Sequence, residues 1–344
     1  MDGTFSKTAV VILSWNGKKF LEEFLPSVVK FQQNGSDIIV ADNASEDDSV
    51  NYVKKSFPIV KVLELERNFG FAEGYNQAIK KIDSEFIVLL NQDVAVTENW
   101  LSPLVTMMEM DAAIGAVQPR IRSYLHQNRF EYAGAAGGWI DKYGYTFCRG
   151  RIFDSIEEDI DQYNDPAEIF WTSGACMIVR KKIFEQLGGL DANFFAHMEE
   201  IDFCWRLKNA GYKNMYCPHS MVYHLGGGSL AHGNPLKTYL NFRNNLLMMS
   251  KNLPPKNKTG IIFIRILLDQ IAALRALTRF QFGDFIAIWK ACFYYLIHSH
   301  TIKSNGQTAI NIFPHISGVY NGLLVWQYFV KGKKIFKDVV TQNS

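Results

Sequence analysis

The chain lacks paired cysteines, a long uninterrupted apolar run and, in its last quarter, almost all acid. Each absence removes a class of protein. Its cysteines, Cys148, Cys176, Cys204, Cys217 and Cys292, are odd in number and form no C-x-x-C pair, which excludes a disulfide framework and suits buried thiols in a reducing compartment. Met1-Asp2-Gly3-Thr4-Phe5 has no basic stretch leading into an apolar core, so no secretory signal is expected and the cytoplasm is the expected location. The apolar stretch 261–277 is broken by Arg265, Asp269 and Arg275, and 284–297 is shorter still. Both fall short of the roughly 20 apolar residues that a spanning helix needs. Residues 251–344 contain no Glu and only three Asp against 12 Lys+Arg, whereas residues 1–250 carry 31 acids against 24 bases. The overall charge of +2 hides this split. A basic, apolar end calls for an acidic partner such as anionic lipid. Nucleic acid is not expected, because no recognition module is present.

What is present is the material of a folded core: 48% hydrophobic and 20% charged residues in 344. Residues 86–90 (Phe-Ile-Val-Leu-Leu) read as a strand buried on both faces, ending abruptly in Asn91, Gln92 and Asp93. In open α/β sheets ligands bind at that carboxyl edge, and an Asp there can hold a hard cation on phosphate oxygens. Taken alone, Asp93 could equally cap a following helix.

Similar runs at 8–14, 37–42 and 60–65 alternate with helical patterns, one carrying Phe20, Leu21, Phe24, Leu25 and Val28, another running from about 70 to 82. Four strands alternating with three helices make repeated βαβ units and a parallel sheet. Asn16, Asp42, Asn68 and Asp93 lie at successive strand ends, which topology brings to one edge. Gly70 and Gly74 could form a phosphate loop at a helix N-terminus, or simply a turn.

Further strands are expected at 115–121, 176–180 and 212–223, and a variable loop region at 123–165. Residues 199–207 fit an amphipathic helix whose first turn holds Glu199, Glu200 and Asp202. Acids there complement the helix dipole. A carboxyl group beside Phe194, Phe195 and Met198 also gains basicity, as a general base requires. His224 closes the last strand before Gly226, Gly227, Gly228 and Ser229; it is either structural or a partner for Asp93.

Several motifs in order then resemble the family two inverting glycosyltransferases of GT-A fold, within them the rhamnosyltransferase-like members. They are Val-Val-Ile-Leu-Ser-Trp-Asn (10–16), Ala-Asp-Asn-Ala-Ser (41–45), Arg-Asn-Phe-Gly-Phe-Ala-Glu-Gly-Tyr-Asn (67–76), Leu-Leu-Asn-Gln-Asp (89–93), Gly-Gly-Leu-Asp-Ala-Asn-Phe-Phe (188–195), Glu-Glu-Ile-Asp-Phe-Cys-Trp-Arg (199–206) and His-Leu-Gly-Gly-Gly-Ser (224–229). The resemblance covers roughly residues 8–250 and implies a GT-A domain over 1–250 with a mostly parallel central sheet.

It also implies roles. Asp42 would contact the base of a nucleotide-sugar donor, with Ser14 and Asn16 lining the nucleoside pocket and Asn68, Gly74 and Asn76 along the ribose and diphosphate. Asn91 stands where the metal motif usually has Asp. Asp93 and His224 would hold Mg2+ or Mn2+. Glu200 would take the acceptor proton in place of the usual Asp, with Asp202 as a substitute. The implied reaction is inverting transfer of a sugar, with dTDP-rhamnose a candidate donor, to a glycan or polyprenyl-linked acceptor in cell-surface polysaccharide synthesis.

Two alternatives are a nucleotide-sugar pyrophosphorylase and a non-catalytic sugar-nucleotide-binding protein. The first needs a glycine-rich basic loop where 14–19 (Ser-Trp-Asn-Gly-Lys-Lys) has one glycine. Against the second stand the carboxylates at 199–202.

Tyr239 to Leu247 resembles the family's Arg-Asn segment, and Leu253-Pro254-Pro255 marks a boundary. Residues 251–344 then read as helices lying in a membrane interface at the inner face of the cell membrane, with Lys331, Lys333, Lys334 and Lys337 attracting anionic lipid. The other reading is a helical cap packed on the GT-A domain or on a second subunit of a homodimer.

Overall fold

The computed structural model describes residues 6–226, 234–302 and 313–340. Met1-Asp2-Gly3-Thr4-Phe5, and Gly227, Gly228 and Ser229 of the last motif, lie outside the described residues. The first third alternates as the apolar runs predict: β1 (Thr8–Ser14), α1 (Lys18–Lys30), β2 (Ser36–Asp42), α2 (Ser49–Ser56), β3 (Lys61–Glu64), α3 (Gly70–Lys80) and β4 (Phe86–Asn91). The strands pair in parallel in the order β3-β2-β1-β4. Alternate residues face opposite sides of the sheet. Val10, Ile12, Val88 and Leu90 meet Leu21 and Leu25 of α1 on one face, while Ala9, Val11, Ile87 and Leu89 meet Tyr75 and Ile79 of α3 on the other. Covering both faces with helices explains why these strands are apolar throughout.

Beyond β4 the sheet becomes mixed. After β5 (Val94–Val96), α4 (Ser102–Met110) and β6 (Ile114–Ser123), the chain makes a long excursion before returning as β12. Inside that excursion, where a variable loop was expected, β7 (Gly138–Asp141), β8 (Thr146–Cys148), β9 (Arg151–Ile152) and β10 (Ser155–Ile156) build a second, small sheet, followed by β11 (Ala167–Ile169) on the main sheet. Strands of two to four residues are too short for their alternation to show in the sequence. β12 (Cys176–Arg180) enters with no crossover helix and runs antiparallel between β4 and β6. α5 (Lys181–Gln186), α6 (Glu199–Asn209) and β13 (Lys213–His224) follow, β13 lying parallel to β6 and antiparallel to β5 and β11.

The remaining elements are α7 (Pro235–Asn252), α8 (Pro255–Thr278), α9 (Phe282–His298), β14 (Val319–Tyr320), α10 (Leu324–Phe329) and α11 (Phe336–Val340). α7 runs through position 250, and the helix break falls at Leu253 and Pro254. The last segments are stitched into the small sheet. β14 pairs with β7, and Phe336 packs on Trp139 and Phe147, with ring centroids 5.2 and 5.8 Å apart. Buried Asp141 accepts hydrogen bonds from the Tyr143, Tyr145 and Leu324 backbone N–H groups, and burial pushes its carboxyl up to about 6.

α8 is pinned by Arg265, which donates to Asp269 at 2.8 Å and to the Tyr143 carbonyl at 3.2 Å. Its outer stripe, Phe263, Leu267, Ile271 and Leu274, is exposed, as is the stripe Phe282, Ile286, Trp289, Phe293 and Leu296 on α9. Among the described residues no helix is long and apolar enough to cross a membrane.

Candidate active site

Parallel pairing sets Ser14 of β1 opposite Asp42 of β2, and Leu13 opposite Asn91 of β4. The three strands therefore stop together, and two strand spacings place Asp42 about 10 Å from Asn91. At this edge Asp42 Oδ2 accepts the Ser45 N–H at 2.9 Å. Its other oxygen, Oδ1, is buried and has no hydrogen-bond partner among the described residues. A carboxylate oxygen in that setting can accept a further hydrogen bond. Ser14 donates to Gln92 at 2.9 Å, and both side chains press on Gly17, where a Cβ would come within 2.0 Å of the Gln92 Oε1. Any side chain at 17 would displace that pair.

Asn16 adopts a left-handed backbone (φ 48°), and its side chain accepts from the Glu46 N–H at 2.8 Å. It holds the 45–47 turn beside Asp42. Asn43, to which no role was assigned from sequence, joins β2 to the start of α3. It donates to Asn68 and to the Gly70 carbonyl, both at 3.0 Å, and accepts the Phe69 N–H at 2.9 Å. Asn68 in turn accepts the Gly70 N–H at 2.9 Å.

Antiparallel pairing of β5 with β13 sets His224 opposite Val94, hence beside Asp93. The His224 Nε2 lies 3.2 Å from Asp93 Oδ1, and both side chains are buried. On the far side of the ring, Nδ1 lies 3.3 Å from Glu131 Oε2. That approach is off the line of a well-formed hydrogen bond, since Nδ1 satisfies no strict bonding geometry. Burial opposes a charge on this imidazole, but Glu131 and Asp93 together outweigh it and push its pKa up to about 10. Burial likewise opposes ionisation of Asp93, and the His224 proton and charge hold its carboxyl below the usual range.

Glu200 lies on the first turn of α6. Gly174 faces it: a Cβ there would sit 3.7 Å from the Glu200 Cβ and from the Phe71 ring, in ordinary contact. The next residue, Ala175, accepts the Asn91 N–H at 2.9 Å, so Glu200 borders the edge where β4 ends. Its Oε2 is buried with no hydrogen-bond partner among the described residues, and burial pushes the carboxyl up to about 7. Burial, then the Glu200 charge, pushes neighbouring Glu199 well above the usual range.

The turn leading into α6 is strained. Phe195, His197 and Met198 have φ of 64°, 68° and 75°, a region that side chains other than glycine enter at a cost. Fully buried Asn244 of α7 compensates by donating to the carbonyls of Phe194 (2.9 Å), Ala196 (2.8 Å) and His197 (2.8 Å). Arg243 adds a bond to the Phe194 carbonyl at 3.1 Å. The sequence signal for this clamp is the Arg-Asn segment.

Three expected site residues have other partners. Asp202 is wholly buried and accepts from Arg206 (2.8 Å), Lys251 (3.1 Å) and Asn252 (2.8 Å). Gly74 packs on β1, where a Cβ would meet Leu13 at 2.9 Å. Asn76 donates to the Leu190 carbonyl at 2.7 Å and accepts the Leu190 N–H at 2.9 Å, so its amide braces the 188–190 turn. The two positions lie about 200° apart around α3, and both are buried, one against β1 and the other against the 188–190 turn.

Among the described residues no cluster of three or more His, Cys, Asp and Glu forms a complete metal cage. Glu131 touches the far nitrogen and is not a third ligand. One carboxylate beside one imidazole fits Mn2+ or Mg2+ when the other ligands are oxygens of phosphate and water.

A family model described as "Glycosyl transferase family 2" matches residues 9–188. Among curated proteins, the chain is 25% identical over 232 residues to an N-acetylglucosaminyl-diphospho-decaprenol L-rhamnosyltransferase of Mycobacterium tuberculosis, covering 62% of this chain and 75% of that one. It is 23% identical to a poly-beta-1,6-N-acetyl-D-glucosamine synthase of Staphylococcus aureus, covering 62% of this chain but only 49% of that protein.

Among solved structures, GalNAc-T7 with UDP, GalNAc and Mn2+ superposes with a TM-score of 0.59 at 17% identity, covering 87% of this chain and 58% of that one. The Pyrobaculum calidifontis mannosyltransferase PcManGT with GDP-Man and Mn2+ gives 0.53 at 14% identity, covering 86% and 76%. These structural likenesses support the fold. With the family match spanning more than half the chain, the protein belongs to glycosyltransferase family 2 and has the GT-A fold.

Proposed function

We propose that this protein is a divalent-metal-dependent, inverting glycosyltransferase, that its donor is a nucleotide sugar with dTDP-L-rhamnose the first to test, and that its acceptor is a hydroxyl of a glycan or polyprenyl-linked sugar. The observation that carries the reading is a half-buried Glu200, its Oε2 buried and without a hydrogen-bond partner among the described residues, bordering the sheet edge that also holds Asp42, Asp93 and His224. Asp42 Oδ1 would accept a hydrogen bond from the nucleobase. Asp93 and His224 Nε2 would hold Mg2+ or Mn2+, which when bound neutralises charge on the leaving diphosphate. Glu200, with a pKa near working pH, would take the acceptor O–H proton. As that proton leaves, the acceptor oxygen forms a bond to the anomeric carbon. The bond from that carbon to the diphosphate oxygen breaks, and the nucleoside diphosphate departs with the electron pair. One in-line displacement inverts the anomeric configuration.

The mycobacterial relative's name specifies a decaprenol-linked acceptor. An acceptor of that kind suits the exposed α8–α9 stripes, which we assign to an anionic membrane surface with the protein lying peripherally on its inner face. Exposed Arg275, Arg279 and Lys290 adjoin the stripes and complement anionic lipid. A second copy of the chain in a homodimer is the competing occupant.

The deciding experiment incubates a panel of sugar nucleotides with Mn2+ and reads hydrolysis and transfer by NMR. Nucleoside diphosphate release, with a product of inverted anomeric configuration, is expected. Retention of configuration, or formation of a sugar 1-phosphate and a nucleoside triphosphate when inorganic pyrophosphate is added, would overturn the reading.

A further inference from the structure

The His224 ring is flanked by carboxylates on both nitrogens, and the second carboxylate belongs to no motif. Glu131 lies in the turn after β6, where its own N–H donates to the Ile121 carbonyl at 3.0 Å. It is 7% exposed, and its Oε2 also accepts the Ala133 N–H, so its position is set independently of His224. Gly226, at φ 73°, passes so near that a Cβ there would lie 2.9 Å from Glu131 Oε1. The backbone beyond His224 thus leaves room for this carboxylate, and only glycine suits both the conformation and the gap.

A cation takes the place of the proton on the nitrogen it occupies, so a ligating imidazole keeps one proton, on its other nitrogen. The partner of that other nitrogen decides which of the two the cation takes. We infer that Glu131 is a positioning residue for cation binding: its carboxylate takes the Nδ1–H of His224 and turns the Nε2 lone pair toward Asp93. The inference rests on the metal reading given under the proposed function. It extends it by a residue that does not touch the cation.

The test measures Mn2+ uptake by electron paramagnetic resonance, with UDP as the nucleotide probe, in the full chain and in Glu131→Gln and Glu131→Asp. Carboxylates behind ligating histidines are worth about 10–100-fold in metal affinity. We expect Glu131→Gln to weaken Mn2+ by that factor, Glu131→Asp to recover part of it, and the metal-free thermal midpoints to stay together. Equal Mn2+ affinity in wild type and Glu131→Gln overturns the role of Glu131 alone. Wild-type protein that takes up no Mn2+ overturns the metal reading as well. Nitrogen-15 NMR of His224 in the Mg2+–UDP complex of the wild type gives a readout that needs no variant. A proton on Nδ1 is expected, and a proton on Nε2 overturns the inference.

Discussion

Asn244 donates to the His197 carbonyl at 2.8 Å, and through that bond a helix outside the family-matched stretch 9–188 sets the turn that aims Glu200. Asn244→Ala removes two N–H donors shared among three carbonyls and frees three residues held in the left-handed region. Each lost bond to a buried group is worth about 1–3 kcal/mol. Turnover should fall at least about tenfold with the Michaelis constant for donor nearly unchanged, since the nucleotide edge is built on other strands. An Asn244→Ala enzyme with wild-type kcat would show that the turn holds itself.

Glu200→Gln should bind nucleotide as the wild type does and lose about 10²–10⁴-fold in transfer rate. Its pH behaviour gives a separate sign. The folded-state pKa of Glu200 is raised to about 7, so stability is fully present below the unfolded carboxylate range and is lost as pH rises through 7. Glu200→Gln removes that ionisation. Its thermal midpoint should therefore gain on the wild type between pH 5 and 8, while the wild-type rate rises over the same range. A midpoint difference that stays flat with pH would contradict a buried, raised carboxyl.

Asp202→Asn separates the two acids of the helix. Asp202 neutralises Arg206 and Lys251 in the interior, and removing one partner of a buried ion pair costs about 3–5 kcal/mol. The expected outcome is a large loss in denaturant midpoint, with the pH limb of activity retained in the protein that stays folded. Loss of that limb with stability intact would make Asp202 the base.

Asp42→Asn keeps an oxygen for the Ser45 N–H but removes the charge offered to a ligand. A hydrogen bond to a charged group is worth about 1.5–3 kcal/mol, so the nucleotide dissociation constant should rise about 10–100-fold by calorimetry. An unchanged constant would remove Asp42 from the nucleoside pocket.

Vesicles rich in anionic lipid should sediment the protein at low salt, and the triple change Leu267→Ser, Trp289→Ser, Phe293→Ser should abolish this without altering soluble-donor hydrolysis. Protein that ignores the vesicles but dissociates from dimer to monomer on the same change would assign the α8–α9 face to a second copy.

The sequence by itself determined the parallel half of the sheet, because strands buried on both faces must be apolar along their whole length. The abrupt polar ends at Asp42 and Asp93 mark where those strands leave the sheet, for the same reason. It left open whether Glu200 or Asp202 keeps a free carboxyl: both occupy one turn of one helix, and only packing against Lys251 and Asn252 consumes the second. Nor could it place Gly74 and Asn76, whose orientation follows from how α3 sits on β1. Glu131 carried no signal at all, since it stands in a region without period and meets His224 only when β13 pairs with β5 and β6. Local chemistry is written along the chain, whereas an environment depends on which distant backbone groups the fold brings within about 3 Å.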